Sequence, residues 1–462
     1  MKMKKIIWVV ALMTICTMSC KKFIDVNKDP NSPITVSEPL LLSPLEMNVA
    51  NSLSANLAFA YANHYVQNVA LNQPIPNHGT YLLQNTETDD VWTNAYVRCM
   101  NNLKQLMTMA DEHGNSKYAG IARILMALAL GTTTDLFGDV PYSQSLLGSE
   151  NFRPVYDKQE DVYKGIQAFL DAGIANINSN AGRTPGNDDF YYKGDMAKWK
   201  KLAYTLKARY YLHLSKAPGY TAAGQADLAL AALANGMTSN ADDLKFMFTG
   251  SAGEENPLYN NFDPVSTLVL SEKLVNTLKN RTDPRLSKLV APAKATGLYT
   301  GRPIGSSTLG SLNDYSLPGA FYAGAGATFF VVNYSEALFL KAEATLIKSG
   351  FAAAQPIYQD GIKSHMDKLG IAAVDVTTYL AARGTLTAGN ALQLIIEEKV
   401  TANYLSIENF VDWRRTGFPT LTAVPNALSA IPRRLIYPQS EIIANPQTVQ
   451  SAKLTDKLWW DN

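Results

Sequence analysis

Five pairs of neighbouring acids are the first residues to weigh for chemistry: Asp89 with Asp90, Asp188 with Asp189, Asp242 with Asp243, Glu254 with Glu255, and Glu397 with Glu398. Hydrolysing a glycosidic bond needs two carboxyl groups about 5 to 9.5 Å apart across a cleft, whereas sequence neighbours point in different directions. Helix capping and solvation are the roles expected of these pairs. The histidines His64, His78, His113, His213 and His365 never fall at the spacing of a zinc helix, and no phosphate-cradling Gly-Lys loop occurs. "GSSTLG" at Gly305–Gly310 carries Leu309 where a nucleophile elbow needs its second glycine. "DLFG" at Asp135 has no accompanying Gly-rich or catalytic loop of a kinase. No catalytic residue, metal ligand or cofactor is therefore assigned.

The chain opens with Lys2, Lys4 and Lys5, an apolar run Ile6–Met13, and small or polar residues up to Ser19 and Cys20. This is the layout of a secretory signal, and the run is far shorter than the roughly 20 residues a spanning helix needs. "TMSC" resembles the lipobox of bacterial lipoproteins, although Thr17 replaces the usual Leu. Cys20 is accordingly expected to carry a lipid as first residue of the mature chain. The alternative is an ordinary signal with an incidental Cys20. Cys16 competes poorly because the large Ile15 precedes it. Cys99 then has no internal disulfide partner and is expected to be a small buried hydrophobe.

Loss of residues 1–19 removes three lysines from 41 Lys+Arg and none of the 40 acids, leaving a formal charge of −2. Such a balance excludes an electrostatic case for nucleic acid. Length alone suggests two or more domains for 462 residues, but helical periodicity recurs along most of the chain.

The elements that must position any site are helices. Ile121, Ile124, Leu125 and Leu128 fall on one stripe of a helix, with Ala122, Ala127 and Ala129 permitting close approach and Gly138 and Pro141 as stop signals. A second helix reads from Trp199, Leu202, Ala203, Leu206 and Tyr210, with Lys200, Lys201, Lys207 and Arg209 expected on a solvated face. Further stripes are Leu338, Ala342, Leu346; Tyr358, Ile362, Met366; and Leu392, Ile396, Val400. Paired helices with alanine at packing positions suggest a tetratricopeptide-like scaffold without a clean repeat of about 34 residues. From roughly Thr249 to Asn333 the composition turns to Gly, Ser, Pro, Asn and aromatics, and loops on a rigid scaffold are where binding resides.

Several segments together resemble the SusD/RagB family. "ARILMALALGTTTDLFGDVPYSQSL" is similar to its Ala-rich helix and Leu-Phe-Gly-Asp-Val-Pro turn, and "NYSEALFLKAEA" to its Tyr-x-Glu-x-x-x-Leu-x-Ala-Glu-Ala helix. "IENFVDWRRTGFP" and "IPRRLIYPQSEIIANP" resemble its Asp-x-Arg-Arg-Thr-Gly segment and C-terminal closure, and "FIDVNKDPNSP" its mature start. The resemblance runs from Cys20 to the end. It implies an all-α dominated, SusD-like fold: tetratricopeptide-like helix pairs in a right-handed scaffold plus a loop-rich irregular half. Residues 1–19 would be the signal peptide and 20–462 one domain, with the ligand half near 249–333.

The resemblance further implies a lipid-anchored outer-membrane protein of Bacteroidota-type bacteria, facing outward. Such a protein captures an oligosaccharide, or in some members a peptide, for a SusC-like TonB-dependent transporter. It binds and does not catalyse. Asp139 and Pro141 would shape a turn, and Arg414 and Arg415 would pair within the fold. The loops "LNQPIPNHGTYLLQNTETDD" and "GSLNDYSLPGAFYAG" are then the expected ligand loops, with Asn77, His78, Tyr81, Asn313, Tyr315, Phe321 and Tyr322 as candidates. A ring stacks on a sugar face while polar groups satisfy its hydroxyls. Neither loop holds a tryptophan, which leaves room for a peptide. Lys21 and Lys22 stand where surface lipoproteins often carry acids. A periplasm-facing helical adaptor and a helical glycosidase are the competing readings.

Overall fold

The computed structural model describes residues 36–179, 181–262 and 267–461. The signal segment, Cys20 and the mature start lie outside these. Among the described residues, thirteen α-helices of nine or more residues carry the fold. They are α1 Glu38–Asn48, α2 Leu57–Tyr65, α3 Asn101–Glu112, α4 Ser116–Phe137, α5 Gln159–Asn178, α6 Met196–His213 and α7 Ala222–Leu233. There follow α8 Glu272–Asn280, α9 Tyr334–Ser349, α10 Phe351–Lys368, α11 Ala373–Arg383, α12 Ala391–Ala402 and α13 Glu408–Thr416. Helix packs on successive helix from α3 through α7, then α7 on α9, α9 on α10 and α12, and α12 on α13.

α4 is the central helix. Its apolar composition would suit a membrane span by length, but 89% of its most apolar window is buried inside the protein. The closest approaches are made by glycine. A Cβ at Gly120 would stand 3.0 Å from the carbonyl of Gly173 on α5, and one at Gly131 would stand 2.2 Å from the Tyr210 hydroxyl on α6. α4 stops where expected: Gly138 adopts a φ of 86° and its N–H returns to the Thr134 carbonyl.

Charge is buried throughout the helical half, and here the residues depart from the expected solvated faces. Lys207 and Arg209 are only 8% and 5% exposed. Lys207 pairs with Asp171, and Arg209 grips Glu336 of α9 through two bonds of 2.7 and 2.6 Å. The adjacent acids are likewise more committed than capping would require. Asp189 accepts from the Tyr192 and Gly194 N–H groups and from the Trp199 indole, while Glu398, fully buried, binds Arg285 at 2.6 Å and Arg383 at 2.8 Å. The buried face of α12 accordingly includes Glu398 and Lys399 beside Ile395 and Ile396. Arg415 pairs with Glu343 and Asp412 as expected, whereas Arg414 finds carbonyls and rings. Cys99 is buried and free, and burial lifts its thiol to about 12.

Among the described residues, four two-stranded antiparallel ribbons complete the fold: β1 Val69–Leu71 with β5 Leu268–Leu270, β2 Val140–Pro141 with β3 Tyr156–Asp157, β4 Leu244–Met247 with β8 Thr328–Val332, and β6 Val290–Ala291 with β7 Leu317–Pro318. The stretch 249–333 thus contains α8 and four short strands between its loops.

His213 is fully buried between Glu408 at 2.8 Å and Asp135 at 3.5 Å. Burial pulls its imidazole down, but the two carboxylates outweigh it and hold the group up at about 9 against an ordinary 6.5. A raised folded value means this stabilisation is complete below pH 6.5 and is lost as pH rises through about 9. Denaturation midpoints are expected to fall over that window by an amount on the order of 3 kcal/mol in stability, a slope that His213→Gln removes. Gly131→Ala, which drives a methyl into Tyr210, is expected to cost about 1–3 kcal/mol in the same assay.

Candidate ligand-binding site

Three loop segments converge beside the ribbon of β1 and β5. The register Val69↔Leu270 to Leu71↔Leu268 places the segment after Leu71 next to the irregular half. Asn72 then fastens it: its Nδ2 donates to the Gly310 carbonyl at 2.7 Å, and its Oδ1 accepts the Gly310 N–H at 3.3 Å. The third segment, 420–428, joins through Asn426 to the Gly305 carbonyl, Leu428 N–H to the Thr80 carbonyl, and Gln67 to the Thr422 carbonyl. Gly305 has a φ of 72°, and a Cβ there would lie 2.1 Å from the Pro425 carbonyl.

Arg302 is the group that ties two of these segments together. It is 1% exposed, and it donates to the Leu71 carbonyl at 2.8 Å, the Thr308 carbonyl at 2.9 Å, the Ser306 carbonyl at 3.2 Å and the Tyr315 hydroxyl at 3.0 Å. Its guanidinium also lies over the Tyr315 ring, 5.4 Å from the centroid. The ring is therefore held at one edge and one face while remaining half-exposed. With four of its five N–H groups given to neutral acceptors, Arg302 serves as a brace. Burial draws the nearby Lys273 amine down to about 8, with Glu397 opposing, and that amine donates to the Thr420 carbonyl.

The seven expected ligand residues divide. Asn313 is exposed, and its side-chain amide has no partner among the described residues. Tyr315 and His78 are half-exposed; His78 bonds Glu87 at 2.7 Å and meets the Tyr61 ring edge-on at 4.9 Å. Asn77 is half-exposed but caps its own turn, accepting the Gly79 N–H and donating to the Gln73 and Pro74 carbonyls. Tyr81 lies beneath, 2% exposed, with a left-handed φ of 69°, packed on Tyr65 and accepting the Val424 N–H at 3.4 Å. Phe321 and Tyr322 belong to another cluster. Phe321 stacks on Phe330 of β8, while buried Tyr322 meets Tyr404 and bonds His365 at 3.0 Å. That cluster borders an interior cavity of about 70 Å³. Asn72, Arg302 and Asn426 escaped sequence reasoning, although the Pro425-Asn426 pair is a turn signal of the kind that marks loop contacts.

Among the described residues no three His, Cys, Asp or Glu side chains are grouped to hold a metal ion. What the face offers is a braced ring, an imidazole, free amide groups and apolar Leu309 and Leu428, which are 51% and 57% exposed.

A SusD-like family model, described as starch-binding and associating with the outer membrane, matches residues 30–438. Among solved structures, a chitin-binding protein superposes with a TM-score of 0.80 at 25% identity, covering 92% of this chain and all 100% of that one. A SusD/RagB family protein from Bacteroides thetaiotaomicron superposes equally well, TM-score 0.80 at 23% identity over 92% of this chain and 99% of that chain. A chitin-binding SusD homologue from Flavobacterium johnsoniae gives 0.80 at 23% over 92% and 98%. No curated protein matches the chain. The family model spans most of the sequence and the helical scaffold is shared, so the chain belongs to the SusD/RagB family.

Proposed function

We propose that this protein captures a neutral oligosaccharide on the face formed by residues 72–81, 302–315 and 420–428, and delivers it to a SusC-like TonB-dependent transporter. It binds without catalysing. The observation that carries the reading is the brace of Arg302 on Tyr315, which presents a ring in fixed orientation without offering a free charge. A sugar face packs on such a ring, and the Asn313 amide and the imidazole of His78 complete the hydroxyls. The starch-binding description of the family and the chitin-binding relatives support the same class of ligand. A peptide is the second reading, favoured by the location of the tryptophans: Trp92, Trp199, Trp413 and Trp460 are buried away from this face. In this proposal residues 1–19 are removed, Cys20 carries the lipid, and the protein faces outward.

Calorimetry of the chain begun after Cys20, against chito-, malto- and other oligosaccharides and a peptide pool, is expected to show oligosaccharide binding. Tyr315→Ala should weaken it about tenfold, the scale of one stacking ring. Arg302→Lys, which keeps the charge but loses the fork, should weaken it similarly. Binding of peptides alone would sink the oligosaccharide reading.

The tether and partner are tested in cells. Cys20→Ser is expected to move the protein out of the membrane fraction, and the unaltered protein should co-purify with a large TonB-dependent barrel and be shaved by protease from intact cells. Recovery without a barrel would end the transporter proposal, and resistance to shaving would place the protein on the periplasmic face.

A further inference from the structure

A groove of about 640 Å³ opens between the end of α8, the turn 281–286, Tyr299 and α11. That is the size of a small-ligand pocket, roughly 300–1,000 Å³. Its floor is immobilised by an ion-pair network. Arg285 donates to both oxygens of Asp283 at 2.9 and 2.6 Å and to Glu398 at 2.6 Å, and the Tyr379 hydroxyl donates to Glu398 at 2.7 Å. Asp283, Arg285 and Tyr379 are thereby spent. Arg281 is spent too, bonding Glu397 at 2.5 Å, and the Lys279 amine is drawn to the Tyr299 carbonyl at 3.3 Å.

Several lining groups stay unspent among the described residues, the exposed Thr282 hydroxyl being one. The exposed Asp375 carboxylate on α11 and the half-exposed Tyr299 hydroxyl have no hydrogen-bond partner, and the exposed Thr378 hydroxyl, which donates to the Val374 carbonyl, can still accept. A ring, a carboxylate and a hydroxyl on a rigid floor suit a neutral polyhydroxylated ligand, the ring taking an apolar sugar face and the acid its hydroxyls. Arg281 at the rim is already neutralised by Glu397.

The groove and the Tyr315 face share one rigid element. Thr300 is pinned to Ser316 in both directions, at 2.7 and 3.0 Å, and the Arg302 N–H bonds the Leu270 carbonyl at 2.9 Å. Tyr299 and Arg302 are three residues apart, about 10 Å in extended chain. We propose that the groove lined by Tyr299, Asp375 and Thr378 is a second carbohydrate-contact site, engaged by chains too long for the Tyr315 face alone. The proposal rests on the oligosaccharide reading above.

The test is calorimetry of the parent chain and variants with chitobiose and chitohexaose, and with maltose and maltohexaose as a second series. Tyr299→Ala and Asp375→Asn are expected to weaken hexasaccharide binding about fivefold to tenfold and leave disaccharide binding unchanged, with exposed Asp375→Asn keeping the parent melting temperature. Tyr299→Phe, which retains the ring, should restore most of the affinity, whereas Tyr315→Ala should weaken both lengths. Unchanged hexasaccharide affinity in both groove variants would overturn the second site and leave the first standing. A parent chain that binds no oligosaccharide of any length would overturn both.

Discussion

The structure depends on a chain of alternating charges sealed inside the helical half. Arg209 on α6 holds Glu336 on α9, and Lys399 on α12 lies 3.9 Å from Glu336, 3.7 Å from Glu408 and 2.9 Å from Asp412. Asp412 in turn holds Arg415, which reaches Glu343 on α9. Isolating any one of these ions in the interior costs several kcal/mol. The set is tolerable because each buried acid meets a cation: Arg209, Lys399, Arg415 and a protonated His213 face Glu336, Glu343, Glu408 and Asp412, with Asp135 also against His213. The elevated His213 serves the network, since a neutral imidazole would leave Asp135 and Glu408 without the cation between them. A slip of α9 by one residue would separate Glu336 from Arg209 and Glu343 from Arg415 together. Such a network selects one helix register, whereas the apolar contacts around it would accept several.

From this network the geometry of the candidate face follows. α13 ends at Thr416, and the chain then has only 417–430 in which to return before the C-terminal closure begins. That closure is clamped to the end of α4: Leu435 N–H bonds the Leu136 carbonyl at 2.8 Å, Arg434 donates to the Phe137 carbonyl, and the Tyr437 hydroxyl to the Asp139 carbonyl at 2.7 Å. Trp92, Phe137, Tyr156 and Tyr437 pack their rings over the junction. Fixed at both ends, the segment crosses the irregular half, where Gln67, Thr80 and Gly305 receive it. A local loop thereby acquires the stiffness of the scaffold, and less conformational entropy remains to be lost when a ligand binds.

The helical stripes were readable because apolar residues at helical spacing act locally; α4, α6, α9, α10 and α12 appear where periodicity predicts them. Charged residues misled, since periodicity assigns Arg209 and Lys207 to solvent and only the three-dimensional partner explains their burial. The segments resembling the family's motifs were legible as motifs yet mute as to role: Glu343, Asp412 and Arg415 come from two of them and meet only in space. For the candidate site, residue type pointed equally to Tyr81, Tyr315 and Tyr322. Burial separates them, because a tyrosine whose hydroxyl has a nearby interior partner turns inward, as Tyr322 does toward His365. Arg302 was invisible because its four acceptors are carbonyls and a phenol scattered from Leu71 to Tyr315, and no sequence pattern marks such a set.

The division between spent and unspent polar groups bears on the binding proposed for the candidate face. Glycoside hydrolysis needs one carboxyl kept protonated and a second kept ionised, both facing the substrate. Among the adjacent acids, Asp189, Asp242 and Glu398 are turned into the protein and saturated by N–H donors or cations. Asp314, the carboxylate within the face, caps its own turn by accepting the Ser311 N–H at 2.9 Å, and nearby Glu87 is engaged with His78 and with the Gln84 N–H. What the face offers besides is neutral: the Tyr315 ring, the Asn313 amide and exposed leucines. Groups of this kind stabilise a bound sugar and its transition state alike. They add affinity without lowering a barrier.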